Sequence, residues 1–308
     1  MLRAACIAAI TALCALTTLA LPAAPASATV IQSGKVIFVA DGDTVDVNLT
    51  GVGTRRIRMI GVQATELHVY SSYLNRISGE CWAAEATRRL SRLVAGKPVR
   101  VSSRATSSLS GSRLHRSVAV SINGVWRDTG QILLDEGLVL PDVNGTEYDR
   151  NRDYSARAQR AATARRGMWG SSAHCGSGPA QTARLSVAVN WDAPGNDMEN
   201  VNGEYVRITN RGTSAVSLAG WRVRDNAYRG TYARGYVFPR GTRVAAGDSV
   251  YVHPGRGAST GRHFYWGLSA AIFENATGAP TYKGDGAYLF DPHGDLRGWR
   301  MYPCRYAC

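Results

Sequence analysis

A change in hydrophobic periodicity at residues 171–181 divides the chain. That segment, SSAHCGSGPAQ, is rich in Ser, Gly, Ala and Pro and repeats no apolar position, so it reads as a linker. Before it strands and helices are mixed, and after it only short strands are legible. The chain has 308 residues, and a domain usually takes roughly 100–200. Two domains are therefore expected, each burying its own core: residues 29–170, a linker at 171–184, and residues 185–308.

Residues 1–28 are set aside from the folding argument. Arg3 gives a short positive start, residues 4–19 are almost continuously apolar, and Ala26, Ser27 and Ala28 are the small residues a signal peptidase reads. The apolar run is shorter than the roughly 20 residues that span a bilayer. A cleaved signal peptide is expected, with a secreted, extracellular product and no transmembrane segment after cleavage. Cysteine usage agrees with export. Cys6 and Cys14 leave with the signal, and Cys81, Cys175, Cys304 and Cys308 remain, an even number in an oxidising setting. Of the pairings open to them, Cys81 with Cys175, closing the first domain, and Cys304 with Cys308, a local tail loop, are favoured. The absence of a His at zinc-finger spacing argues against a zinc site.

The net charge is +13 and both halves are basic. Such a field attracts polyanions, nucleic acid or anionic cell-wall polymers, without choosing among them. In the first half, residues 35–39, 44–49, 56–62, 98–102 and 118–122 read as strands. Helices are expected at 80–94, 130–136 and 154–166, stopped by Gly96, Gly137 and Gly167. Five short strands with inserted and appended helices match a Greek-key barrel of the oligonucleotide-binding (OB-fold) type. In the second half, strands at 185–190, 204–209, 221–225, 249–253 and 286–291, separated by turn-rich pieces, indicate a β-sandwich.

Three charged segments of the first half carry chemistry. VADGDTV, residues 39–45, sets Asp41 and Asp43 two apart across a glycine. Carboxylates so spaced can point to one side and hold a hard cation such as calcium, although a plain hairpin turn uses the same residues for backbone geometry. In RRIRMIGVQATE, residues 55–66, Arg56 and Arg58 share one strand face, Ile57 and Met59 the other, and Glu66 enters a loop. A guanidinium can neutralise charge on a reacting phosphate while a neighbouring carboxylate deprotonates water; a surface salt-bridge network is the structural alternative. In GSRLHRSVAV, residues 111–120, Arg116 stands where a basic loop meets an apolar strand, a position able to aim its guanidinium into a barrel mouth. Arg113 reads as charge at the strand end, and Arg56 and Arg113 are candidate substrate-binding groups.

In this order, DGDTV, RxRxxGVxxxE and an arginine opening a later strand resemble the thermonuclease, or staphylococcal nuclease-like, family over residues 35–170. GECWAAEATRRL and ARRGMWG are similar to its middle and last helices. The resemblance implies an endonuclease of DNA and RNA that leaves 3′-phosphate ends and usually uses calcium. Asp43 would be a calcium ligand with Asp41 in support, Arg58 and Arg116 the transition-state arginines, and Glu66 the general base. Gln63 stands where the family has a second carboxylate ligand; it can still offer its carbonyl oxygen to the expected Ca2+ site, with one negative charge fewer, and Thr65 replaces proline. LVLPDVNG after Gly137 lacks the family's base-stacking tyrosines, and Leu114 stands where an aromatic is frequent. Trp82, Tyr148 and Tyr154 are the candidates to stack a base instead.

EYVRITNRG, VSLAGWRVRD, YVFPRGTRVAAGDSVYV, WGLSAAIFENATG and KGDGAYLFDPHG resemble, in order, the lamin-tail domain over residues 185–296. This implies an immunoglobulin-like sandwich with a binding or tethering role. Trp221 is assigned to its core, and His253, His263 and His293 to its surface. The expected fold is thus mainly β in two domains, an OB-fold barrel with three helices and then an immunoglobulin-like sandwich. The expected function is a secreted endonuclease hydrolysing phosphodiester bonds, with the second domain holding it to substrate, envelope or matrix. The alternatives are a non-catalytic nucleic-acid or anionic-polymer binder built on a degenerate nuclease barrel, and an envelope scaffold acting through charge alone. A barrel that activates no water has no need of Glu66 beside arginines, which favours the enzyme. The hydrolytic expectation requires residues 58, 66 and 116 to converge on one phosphate.

Overall fold

The computed structural model describes residues 29–67, 79–170, 174–176, 183–226, 235–276 and 281–306. The expected signal peptide, most of the linker, and Cys308 lie outside the described residues. No helix among those described is long and apolar enough to cross a membrane.

The first domain is built from strands β1 (Val30–Val39), β2 (Thr44–Leu49), β3 (Gly53–Met59), β4 (Val62–Gln63), β5 (Pro98–Ser103), β6 (Leu109–Ser110), β7 (Arg113–Ile122), β8 (Val125–Asp128) and β9 (Leu140–Pro141). Its helices are α1 (Ala83–Val94), α2 (Thr129–Asp135) and α3 (Asn151–Thr163). Strands β3, β2, β1, β5 and β7 pair in that order, and a parallel β3–β7 pairing closes them into a five-stranded barrel. Period-2 alternation turns Val45, Val47, Leu49, Ile57, Met59, Val99, Val101, Val118 and Val120 into the core, where α1 adds Ala86, Leu90, Leu93 and Val94. The Asp128 side chain accepts from the backbone N–H groups of Gly130 and Gln131 and starts α2.

Several boundaries differ from the sequence reading, α3 for one running over Asn151–Thr163 instead of 154–166, and three of them matter to the site. Strand β3 stops at Met59 because Gly61 takes φ +75°, with the Tyr154 ring 2.6 Å from where a Cβ would lie. Val62–Gln63 then pairs separately with Leu140–Pro141. Helix α1 begins at Ala83 instead of residue 80, since Trp82 is left-handed at φ 69°. Strand β7 starts at Arg113 instead of 118, because Leu109–Ser110 folds back and pairs with Arg113–Leu114. Arg116 therefore lies within a strand and not at its mouth.

The second region is β-rich. Its strands are β10 (Leu185–Asn190), β11 (Tyr205–Asn210), β12 (Val216–Ser217), β13 (Arg222–Arg224), β14 (Tyr236–Val237), β15 (Arg243–Val244), β16 (Ser249–His253), β17 (His263–Tyr265), β18 (Asp285–Phe290) and β19 (Leu296–Tyr302). Two four-stranded sheets, β10-β11-β16-β17 and β14-β13-β18-β19, share a core of Val206, Ile208, Val250 and Val252 from one and Val223, Ala287 and Leu289 from the other. Trp221 is in this core, as expected.

The two regions do not keep separate cores. Every residue of β18 is buried. Ala287 and Leu289 face the sandwich interior, while Tyr288 and Phe290, with Leu296 and Met301, join the apolar cluster of the first domain. A continuous apolar run such as AYLF is what a strand covered on both faces requires. Trp169 meets Tyr288 and Trp299 at ring separations of 6.1 and 5.2 Å. Gln159 of α3, fully buried, donates to the Pro303 carbonyl and accepts from Arg305 N–H. The Cys81–Cys175 disulfide is formed as favoured, and Cys304 is also disulfide-bonded. Asp295 accepts from the N–H groups of His174 and Cys175, so this part of the linker is anchored to both halves.

Candidate functional site

The loop between β1 and β2 carries Asp41 and Asp43. Gly42 lets it lie flat: a Cβ there would stand 2.7 Å from the methyl groups of Ala64 and Ala86. Asp43 N–H donates to Asp41 Oδ1 at 3.0 Å, and Thr44 Oγ1 donates to Asp43 Oδ1 at 3.0 Å. Asp43 Oδ2 accepts from Ala64 N–H at 2.7 Å and pairs with Arg58 Nη1 at 2.6 Å. Arg58 Nη2 donates to Gln63 Oε1 at 2.7 Å, and Asp142 Oδ2 stands 3.8 Å from it. Arg58 is only 6% exposed. The pairing of β2 with β3 sets Thr44 opposite Arg58, which brings these segments together.

Burial pushes the Asp43 carboxyl up, to about 7; Arg58 pulls it back, and Asp41 and Glu66 add to the rise. Burial works against the Arg58 charge, but Asp43, Asp142, Asp41 and Glu66 outweigh it and leave the guanidinium above its usual pKa. Glu66 is half-buried and its carboxyl is raised, first by burial, then by Asp41 and Glu80, against Arg58 and Arg224. Arg58, Glu66, Asp41 and Asp43 thus share one electrostatic cluster.

Arg116 does not join it, so the expected convergence of residues 58, 66 and 116 on one phosphate is not met. Its guanidinium donates to the carbonyls of Ser108 and His115, both at 2.8 Å, and of Thr106 at 2.7 Å, and the residue is 2% exposed. Its pKa is lowered by burial, with Glu147 opposing. The cause is the early start of β7: Met59, not Arg58, is level with Arg116, and His115 is level with Arg58. Arg113 comes closer. It lines, with Arg58, Gln63, His115 and Asp142, an open cleft of about 610 Å³, and its Nη1 stands 3.4 Å from Thr44 Oγ1. Arg56 lies on the exposed side, where its Nε and Nη2 donate to the two Asp46 carboxylate oxygens at 2.7 and 2.8 Å.

The expected calcium donors do not fit a cation as they stand. Both Asp43 oxygens are engaged, and Arg58 bridges Asp43 Oδ2 to Gln63 Oε1, so a guanidinium fills the interval between two of the three expected donors. Among the described residues, the one group of three His, Cys or acidic side chains with converging donor atoms is Cys81, Cys175 and Asp295. Its two sulfurs are joined to each other. Nor is an expected base-stacking aromatic open on both faces: Tyr154 is buried, Trp82 stacks on His174 at 4.1 Å, and Tyr148 lies under the Arg104 guanidinium.

Several residues at the site carried no sequence signal. Glu80 ties the segment after β4 to the second region: Arg222 Nη1 donates to its Oε1 at 3.2 Å, Arg224 Nη1 stands 3.5 Å from its Oε2, and that same oxygen accepts from Glu66 N–H. Asp142 faces Arg58 only because β9 pairs with β4. Away from the site, His253 and His263 of the second region, expected as unrelated surface residues, stack at 5.3 Å with 3.0 Å between Nε2 and Nδ1, because β16 and β17 run parallel.

No thermonuclease family model matches the first domain. No curated protein matches the chain. Residues 180–303 match the Lamin Tail Domain family.

Proposed function

We propose that the first domain is a thermonuclease-like OB-fold phosphodiesterase that cuts DNA, RNA or both, exported from the cell and held near its substrate by the lamin-tail region. The observation that carries this reading is the grouping of Arg58 and Glu66, from neighbouring segments, around the acidic β1–β2 loop, with Arg58 at the wall of an open cleft. An entering phosphate diester competes with Asp43 and Gln63 for the Arg58 guanidinium. Asp43, raised to about 7, can take a proton as the ion pair opens, which lowers the cost of leaving it unpaired near neutral pH. Arg113, weakly bonded at the same cleft, supplies the second positive charge in place of Arg116. The Glu66 carboxylate takes a proton from water as the water oxygen bonds to phosphorus. The P–O5′ bond breaks, the 5′-oxygen leaves with a solvent proton, and a 3′-phosphate remains. A carboxyl raised above its ordinary range, as burial raises that of Glu66, is the better base for that step.

Arg116 favours a second reading. With its guanidinium held by three carbonyls, the barrel has one transition-state arginine fewer than a thermonuclease requires, as a non-catalytic nucleic-acid binder would. The discriminating experiment is incubation of the mature protein with single-stranded DNA in calcium, magnesium or EDTA, beside Glu66→Gln. Cleavage by the wild type that the variant lacks is expected. Salt-sensitive binding without cleavage under any ion would establish the binder instead.

A further inference from the structure

Glu204 enters β11 at one end of the sandwich and is fully buried. Its Oε2 accepts from the backbone N–H groups of Ile272 and Phe273 at 3.3 and 3.4 Å. Its Oε1 is equally buried and meets no donor. Among the other buried side-chain oxygens in that condition are Asp197 Oδ1 and Asn275 Oδ1. The three belong together: Asn275 Nδ2 donates to Asp197 Oδ2 at 2.9 Å, and Asp197 and Glu274 are the charges acting on Glu204 after burial and its two N–H bonds. Neither Glu204 nor Asp197 has an ion pair among the described residues. Glu274 is paired with Lys283 at 3.3 Å.

A buried carboxylate oxygen without a donor loses its hydration and gains nothing in return, and native structures seldom keep several such oxygens in one place. Here three lie where the loop before β11 meets the segment before residue 277, and among the described residues no basic side chain pairs with Glu204 or Asp197. A divalent cation removes that cost. The donors are all oxygen, two from carboxylates and one from an amide, the set that suits a hard ion of flexible geometry. A softer metal would call for His or Cys.

We propose that the lamin-tail region binds one calcium ion through Glu204 Oε1, Asp197 Oδ1 and Asn275 Oδ1, with backbone carbonyls and water completing its shell. The ion ties the loop carrying Asp197 to the segment carrying Asn275, and so fixes one end of the sandwich. This site is separate from the acidic loop of the first domain and does not depend on the nuclease reading.

The test uses the full mature chain, stripped with EDTA and titrated with calcium chloride by calorimetry, and with terbium read by sensitised emission. Trp191 stacks on Tyr302 at 5.2 Å, and the Tyr302 phenol is raised by burial and by the Asp285 and Glu204 charges, so an aromatic antenna stands near the site. Saturable binding of calcium and a terbium signal are expected, both retained in Asp43→Asn. Asp197→Asn and Asn275→Ala should each weaken binding at least tenfold, and Glu204→Gln should abolish it. Should Glu204→Gln fail to fold, the other two variants, in less buried positions, decide alone. Absence of saturable calcium binding up to about 10 mM, beyond the weak extracellular range, overturns the proposal. So does binding that Asp43→Asn removes and Asp197→Asn leaves intact.

Discussion

Replacing Glu204 by Gln in calcium-free buffer should make the protein more stable, and only above mildly acidic pH. The carboxyl is raised from 4.5 to about 7, chiefly by burial. Below pH 4.5 the group is protonated in folded and unfolded chains alike and has no effect on their difference. As pH rises, the unfolded chain loses its proton first, so folding stability falls until the folded group also ionises near 7. Two and a half pKa units at ~1.4 kcal/mol each amount to a full loss of about 3 kcal/mol. Asp197 and Glu274 face the carboxyl, and the N–H groups of Ile272 and Phe273 hold its other oxygen. Gln keeps the shape and an acceptor for those N–H groups, while its amide can donate toward the oxygens at the site. Allowing for an imperfect fit, the expected gain at pH 8 is about 1–3 kcal/mol, an upward shift in Tm on the order of 5 °C. Thermal unfolding of wild type and variant in EDTA at pH 4.5 and pH 8 measures it. A variant less stable at pH 8, or an equal difference at both pH values, would refute the argument that ionisation of Glu204 opposes folding.

Two further expectations concern the joining of the halves. The Cys81–Cys175 bridge spans 94 positions, for which chain-entropy reasoning gives about 4–5 kcal/mol; Cys81→Ser with Cys175→Ser should lower the guanidinium midpoint accordingly, and an unchanged midpoint would show that the Asp295 contacts suffice. Trp169→Ala empties space between the barrel and β18–β19 and should cost about 3–5 kcal/mol. Calorimetry should then show the barrel and sandwich melting apart, whereas unfolding as cooperative as the wild type would contradict a shared core.

Much of the architecture was legible because it follows from short-range pattern. Alternation along residues 44–49 and 56–59 gave the barrel strands, and the loss of helical periodicity after residue 181 gave the sandwich. The misread parts depend on contacts remote in sequence. Nothing in GSRLHRSVAV reveals that Leu109–Ser110 will fold back on it, yet that pairing carries Arg116 into the strand and gives its guanidinium to three carbonyls. The AYLF run in β18 did hold a readable signal, since unbroken apolarity implies two covered faces. With a linker in view it read as one strand of an independent domain.

The same joining bears on the candidate site. Glu66 and Glu80 exchange backbone and side-chain bonds, Glu66 N–H to Glu80 Oε2 and Glu80 N–H to Glu66 O. Glu80 is in turn gripped by Arg222 and Arg224 of β13. The position of Glu66 is therefore set partly by a sheet more than a hundred residues later in the chain. Under the proposed nuclease reading, Glu66 as base needs its approach to substrate fixed, and the contacts that hold its segment come from the lamin-tail region. The barrel alone contains Glu66 but not the arginines that hold its segment in place, so the proposed nuclease reading calls on both regions.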